Sequence, residues 1–452
     1  MTQRYRYELS AAADIAPAVL AVTAVGLCVG QTPTHALWAA VEAAEGRRLS
    51  PSEPAAASFA EADNEAELLR IATLRSVFRH WAADGRSVAE FVESYPVPGF
   101  FQLPSVLDTR VEPADLTKRY INLMRGTLQD GVGMAFHNVS PRSGLVAGTR
   151  SPLLWPAVFE CFDSAADLAA LLLFAEDGPV TRTRFHGRTF QADETREQTF
   201  ERERSDHREL GTTFAGLMLT RSIAAQHLGE LSEHVIDASQ RVSFGNGRVG
   251  RTAHGFARWS NDFLRRYSEG YRALPFKPTP YLAQAWSRPQ YLQFRDLPLL
   301  SWVHRPRVVS YLDGDEASLP GAQCAERLRT ALKATIDGPL KGAAPTRIFY
   351  DVADDDASGE RRMALATALH AVLPDFDLLD VKKGYDLTWR LDDTGAAGAV
   401  AGIALASMAA WEAGGASLVV DARQSDGVTV LAVTPPDAAQ RQRFQKRPYD
   451  AS

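Results

Sequence analysis

The run Leu168–Ala175, L-A-A-L-L-L-F-A, constrains the fold more than any other stretch of this chain. It is continuous, of strand length, and closed by Asp177-Gly178-Pro179. A strand without polar alternation has both faces covered, which places it inside a layered core. Comparable runs occur at Thr212–Thr220, Arg307–Leu312, Arg347–Val352, Ser417–Val420 and Val428–Val433. Helical patterns fall between them: His35–Ala44, Glu65–Asp84, Pro152–Asp163, Ala322–Ile336 and Glu360–Val372. Buried strands alternating with helices predict an α/β architecture. Residues Thr181–Glu209 are polar and read as a loop, and the charged tail from Asp437 reads as frayed.

Two apolar segments imitate membrane elements. Arg4 and Arg6 precede Ala18–Gly30 as in a signal peptide, but Glu8, Asp14 and Pro17 interrupt the approach. Its core, V-L-A-V-T-A-V-G-L, is rich in β-branched residues and reads as a buried strand. Thr394–Trp411 carries no charge and approaches the ~20 residues of a spanning helix. It is built largely from Ala and Gly, and strand-like runs follow it, so it reads as a helix buried between two layers.

Composition narrows the function classes. The 452 residues are 45% hydrophobic and 23% charged, with a net charge of -6, so no basic footprint for nucleic acid or anionic lipid exists. Cys28, Cys161 and Cys324 lie far apart, which predicts a reducing compartment and no disulfide framework. There is no P-loop, no G-x-S-x-G elbow and no H-E-x-x-H. Gly245, Gly247 and Gly250 form a lone G-x-G-x-x-G without the strand and helix that a dinucleotide site needs, and they read as a turn. His227 and His234 fit a helix surface, and Asp354–Asp356 a solvated loop lacking calcium-site spacing. Cys161, between Phe159 and Phe162, reads as an inert buried thiol. No catalytic, metal or cofactor residue is expected.

Several segments resemble the thiolase and ketoacyl-synthase superfamily. They are Val22–Leu27 with Trp38, Leu168–Asp177, Leu210–Leu219, Thr394-Gly395-Ala396-Ala397-Gly398 and Val428–Thr434, in the family's order. The resemblance implies a layered α-β-α-β-α fold from two related halves, with a helical and Pro-rich insertion between them. The halves would span residues 1–240 and 307–436, joined by 241–306 and followed by a tail at 437–452. Active members need a cysteine at a strand-to-helix turn and two basic residues, usually histidines, that stabilise an oxyanion. The resemblance puts the cysteine near Ser151, one histidine near Val352 and the other at Asp393. None has the required chemistry. The alternative is an acyl-transfer or condensing enzyme with a divergent site, for which Cys161 is the one plausible thiol.

A second resemblance covers the C-terminal half. Phe276-Lys277-Pro278, Leu297–Leu300, His304-Arg305-Pro306, Asp393–Ala397 and Glu412–Ser417 look like the type VI secretion lipase adaptor family. The resemblance implies a cytoplasmic, non-catalytic adaptor that binds a phospholipase effector and brings it to the secretion spike protein. Neither nucleic acid nor a membrane span is implied. Pairing through the central strands, frequent in this fold, would give a homodimer. Phe276, Lys277, Pro278, His304 and Arg305 are the motif positions offered for partner contact, although a rigid Pro-rich crossover explains them as well.

Overall fold

The computed structural model describes residues 18–49, 58–81, 99–103, parts of 119–127, 145–147, 154–186 except 165–167 and 169, 194–221 except 207–209, and 295–449 except 316, 354 and 445–446. The first half supplies β1 (Val19–Val29), β2 (Gly99–Leu103), β3 (Leu145–Ala147), β4 (Ala170–Asp177) and β5 (Thr213–Thr220). The second supplies β6 (Ser301–His304), β7 (Arg307–Ser310), β8 (Arg347–Asp351), β9 (Gly384–Asp386), β10 (Ser417–Asp421) and β11 (Gly427–Thr434). The strands run β3-β2-β4-β5-β1, then β6-β11-β10-β8-β9, with β7 beside β11.

The second order repeats the first in reverse. In each half three strands pair in parallel, β3-β2-β4 and β9-β8-β10, and two antiparallel strands follow, β5-β1 and β11-β6. The halves meet where Val19–Val22 of β1 pairs antiparallel with Ser301–His304 of β6. Ser301–His304, placed by the sequence in the connecting segment, is thus a strand of the joint.

Side-chain alternation builds the layers. Leu171, Leu173, Phe349, Val419, Leu431 and Val433 face one shared core. Their neighbours Ile348, Tyr350, Leu418, Val420 and Val430 face a second core on the outside of the C-terminal half. A strand buried on both faces must be apolar at every position, which is why these runs lack polar alternation. The shared core holds α1 (Thr34–Ala43), α3 (Leu154–Ser164) and α9 (Gly398–Ala413). Helix α9 touches β1, β4 and β5 as well as β6, β8, β10 and β11. It is long and apolar enough to cross a membrane but lies between the half-sheets, with every residue from Gly398 to Trp411 buried. Helix α2 (Phe59–Phe78) covers β1 and β5 on the outside. Opposite it, α6 (Gly321–Asp337) and α7 (Ser358–Val372) pack together over the outer core. The layered α-β-α-β-α arrangement of two halves implied by the sequence is the one observed.

Two expectations are corrected. Thr181–Glu209 is not a plain loop, because α4 (Pro179–His186) and α5 (Arg196–Asp206) occupy much of it. Thr195 and Gln198 cap the start of α5 reciprocally, at 3.2 and 2.8 Å. Its narrow buried stripe, Thr199, Phe200 and Glu203, sets the Phe200 ring edge-on to Phe59 at 5.6 Å. Dense charge on the other faces hid that stripe in the sequence. The tail is docked rather than frayed. Asp437 and Gln440 form a capping box for α10 (Ala438–Gln442), Phe444 packs edge-on to Trp411, and Tyr449 is buried. Most of the connecting segment 241–306, with Gly245, Gly247 and Gly250, and also His227 and His234, lie outside the described residues.

Candidate functional site

Four buried strands end in aspartate: β4 at Asp177, β8 at Asp351, β9 at Asp386 and β10 at Asp421. Asp177 and Asp351 converge on the first turn of α9, preceded by the 3-10 turn Gly395–Ala397. One Asp177 oxygen accepts the N–H of Ala396 at 2.7 Å, and its carboxylate also receives Arg182 of α4 at 2.9 and 3.2 Å. Asp351 accepts Thr388 Oγ1 at 2.9 Å and Arg423 Nε at 3.2 Å. The other side of Arg423 bonds Asp393. Asp393 in turn caps the 3-10 turn by accepting the Gly395 N–H at 2.8 Å, while its backbone carbonyl takes the Gly211 N–H at 2.9 Å. The head of the central helix is therefore closed by a network of three carboxylates and two guanidiniums drawn from both halves. Carboxylates at a helix N-terminus also complement its dipole.

Burial works against ionising Asp393, but Arg423 and the Gly395 N–H outweigh it and hold the carboxyl below its ordinary value. Burial likewise acts to lower Arg423, and Asp351 with Asp393 raise it instead. Arg182 follows the same pattern, with Asp177 outweighing burial. Asp393, Arg423 and Arg182 are thus each favoured in the charged form by an opposite charge beside them.

Two glycines are dictated by this packing. At Gly395 (φ +55) a Cβ would lie 2.0 Å from Asp177 Oδ2, and at Gly398 it would lie 2.2 Å from Asp351 Oδ2. The Gly-Ala-Ala-Gly string thus has a local cause in these carboxylates. Asp392, the residue before Asp393, takes a positive φ of 66° and is held by Arg48.

The sequence-derived positions separate. Asp393 lies in the network. Val352 is buried next to Asp351 in sequence, and its carbonyl accepts Arg361 at 2.7 and 3.0 Å. Ser151 and Phe276, Lys277 and Pro278 lie outside the described residues. His304 meets Thr434 Oγ1 at 3.0 Å, and burial lowers its pKa. Arg305 forms a two-pronged bridge to Asp163, at 2.6 and 2.9 Å, and covers the Phe159 ring at 4.9 Å. His304 thus ties β6 to β11, and Arg305, just past β6, reaches α3. Cys161 sits in the shared core, and burial, followed by Glu160, pushes its thiol up to about 11.

Sequence reading singled out Asp393 but missed Asp177, Arg182, Asp351 and Arg423. A usable signal existed: a fully apolar strand ending in aspartate, repeated at L-L-L-F-A-E-D, R-I-F-Y-D and S-L-V-V-D. A carboxylate at the edge of a dry core needs a partner, and the repetition flags three such carboxylates.

Fold and site together define a two-half layered α/β scaffold whose central helix is sealed at its head by an interhalf ion network. The model of "Type VI lipase adapter protein Tla3, N-terminal" matches residues 18–197, and that of "Type VI lipase adapter protein Tla3, C-terminal" matches residues 300–435. The chain belongs to this type VI lipase adapter family. Similar solved structures include the ishigamide ketosynthase/chain length factor, at 12% identity and a TM-score of 0.44, covering 93% of this chain and 100% of that one. A ketosynthase domain of oxazolomycin biosynthesis from Streptomyces albus gives 11% identity and 0.44, with 93% and 96% covered. A ketosynthase of the bacillaene polyketide synthase from Bacillus amyloliquefaciens gives 10% and 0.43, with 93% and 75% covered.

Proposed function

We propose that this chain is a non-catalytic, cytoplasmic adaptor that binds a phospholipase effector and loads it onto the spike protein of a bacterial type VI secretion system. Family membership supports the lipase-adapter role. The observation that carries the non-catalytic reading is Asp393. The resemblance to condensing enzymes requires an imidazole there, and the residue is instead a carboxylate locked to Arg423 and Gly395. An oxyanion forming beside it would meet like charge, and both nearby guanidiniums are already engaged. The Cys161 thiol, pushed up to about 11, is protonated at neutral pH and offers no nucleophile in its place.

The test is reconstitution. The purified chain is expected to form a complex with the phospholipase encoded beside it, and that complex to be captured by the spike protein. It is also expected to leave an acyl-thioester probe unconsumed. Failure to bind both proteins ends the adaptor reading. Turnover of the probe that Cys161→Ala abolishes would establish the enzyme instead.

A further inference from the structure

At its head, α9 is held by the ion network, to which Thr388 of the short helix α8 (Leu387–Leu391) also bonds. Its foot lies roughly 24 Å away, at a rise of about 1.5 Å per residue, and is held differently. There the tail beyond α10 meets both halves of the molecule. Phe444 sets its ring edge-on to Trp411 of α9, at 6.3 Å, and to His80, at 6.4 Å. Tyr449, buried in the shared core, donates to Glu412 at 2.5 Å, and Arg447 reaches the other oxygen of that carboxylate at 2.9 Å. The Pro448 carbonyl lies 2.6 Å from His80 Nε2. A carbonyl only accepts, so Nε2 carries the proton.

These anchors belong to two bodies. Trp411 and Glu412 stand in the last turn of α9, in the C-terminal half. His80 lies in the 3-10 turn Arg79–Trp81 that follows α2, in the N-terminal half. Adjacent tail residues grip opposite halves, Pro448 through His80 and Tyr449 through Glu412. One peptide unit separates them, so withdrawing one withdraws the other. Phe444 adds a ring that touches both sides at once. Among the described residues the tail gives no strand to the sheet, and the N–H groups of Arg441 and Phe444 bond within the tail, to Asp437 and Arg441. A segment attached by a few side chains and a carbonyl, rather than by a ladder, opens locally at a free energy below that of global unfolding.

We propose that Phe444 and Arg447–Tyr449 form a strap that opens and closes as one unit and couples the foot of α9 to the end of α2. Drawing the tail off at either anchor frees the other and uncovers Trp411 and His80 together. The β1–β6 ladder takes no part, so the strap lifts while the sheet stays shut.

Amide hydrogen exchange read by mass spectrometry, on the full-length chain near neutral pH, tests this coupling. Wild type, Tyr449→Phe, His80→Ala and His80→Gln are compared over 78–81, over 443–449, and over 301–304 of β6. Tyr449→Phe removes only the anchor on the C-terminal half, a hydrogen bond to a charged group. Exchange is expected to rise at least about tenfold over 78–81, by the same factor as over 443–449, with 301–304 unchanged. His80→Ala is expected to give the same paired rise from the other side. His80→Gln, whose amide can still donate to Pro448, is expected to stay near wild type. A rise confined to the peptide that carries the substitution overturns the strap. An equal rise over 301–304 overturns it too, because that marks general loosening. His80→Gln exchanging as fast as His80→Ala overturns the Pro448 bond as the N-terminal anchor. Protection of 443–449 that grows with protein concentration also overturns the strap, since a second copy would then hold the tail.

Discussion

The carboxylate of Asp177 accepts a hydrogen bond from the backbone N–H of Ala396, 219 residues further along the chain, at 2.7 Å. One partner ends a strand of the N-terminal half, and the other opens the central helix of the C-terminal half. Around this bond Arg182, Arg423, Asp351 and Asp393 settle their charges against one another.

Removing the shared cation tests that network. Arg423→Met leaves Asp351 and Asp393 buried without their guanidinium, and breaking a buried pair on one side costs about 3–5 kcal/mol. Urea unfolding is expected to show a loss of this size. Lys333→Met, which breaks the exposed pair with Asp337, is expected to cost under about 1 kcal/mol.

Asp393 gives the network an acid limit. Its folded-state value is held below the ordinary one, so the unfolded chain takes up that proton first as pH falls. Its contribution is full above the ordinary carboxylate value of about 4 and is lost as pH drops through the lower folded value. Glu176 works in the opposite sense, because burial raises it despite Arg70. The comparison must therefore be wild type against Asp393→Asn across pH. The stability gap between them is expected to be widest near neutrality and to close in acid. A gap independent of pH would refute the ionised assignment.

Gly395 and Gly398 are expected to tolerate no side chain. Gly395→Ala combines a left-handed backbone with a Cβ 2.0 Å from Asp177 Oδ2, for a loss of about 2–4 kcal/mol. Gly359, in α7 with open space around its Cβ position, is the counter-case. Gly359→Ala is expected to be neutral or to stabilise by up to about 1 kcal/mol. Thermal melts of the two variants should move in different directions or by clearly different amounts.

Thiol reactivity should follow burial. Burial raises all three thiols, but Cys28 and Cys161 are buried whereas Cys324 is partly exposed. Alkylation at pH 8 followed by peptide mass spectrometry is expected to mark Cys324 first among the three. Rapid native labelling of Cys161 would contradict the environment described for it.

The tail is held by a charged hydrogen bond. Tyr449 donates to Glu412 at 2.5 Å, and Arg447 reaches the same carboxylate at 2.9 Å. Tyr449→Phe is expected to cost about 1.5–3 kcal/mol and to speed proteolysis after Phe444.

Much of this fold was readable because its strands are covered on both faces. Leu168–Ala175 and Val428–Val433 could be little else, and the uncharged Thr394–Trp411 had to be either interior or membrane. The interior reading rested on its Ala and Gly content and the strand-like runs after it; which strands of the two halves enclose α9 is stated by no local pattern. Helix α5 was missed because its one buried stripe is diluted among charges whose pairing appears only in three dimensions. The site was half legible. Asp393 stood out against an expected imidazole, but Arg423 and Arg182 look like ordinary surface arginines until the chain brings them to buried carboxylates.

The pairing of β1 with β6 has a mechanical consequence. A molecule whose two lobes are stitched by a shared backbone ladder has no hinge at its waist, because opening there would strand main-chain N–H and C=O groups inside a dry core. Any reshaping on encountering another protein is thereby confined to the outlying helices and connections, while the middle travels as one stiff block.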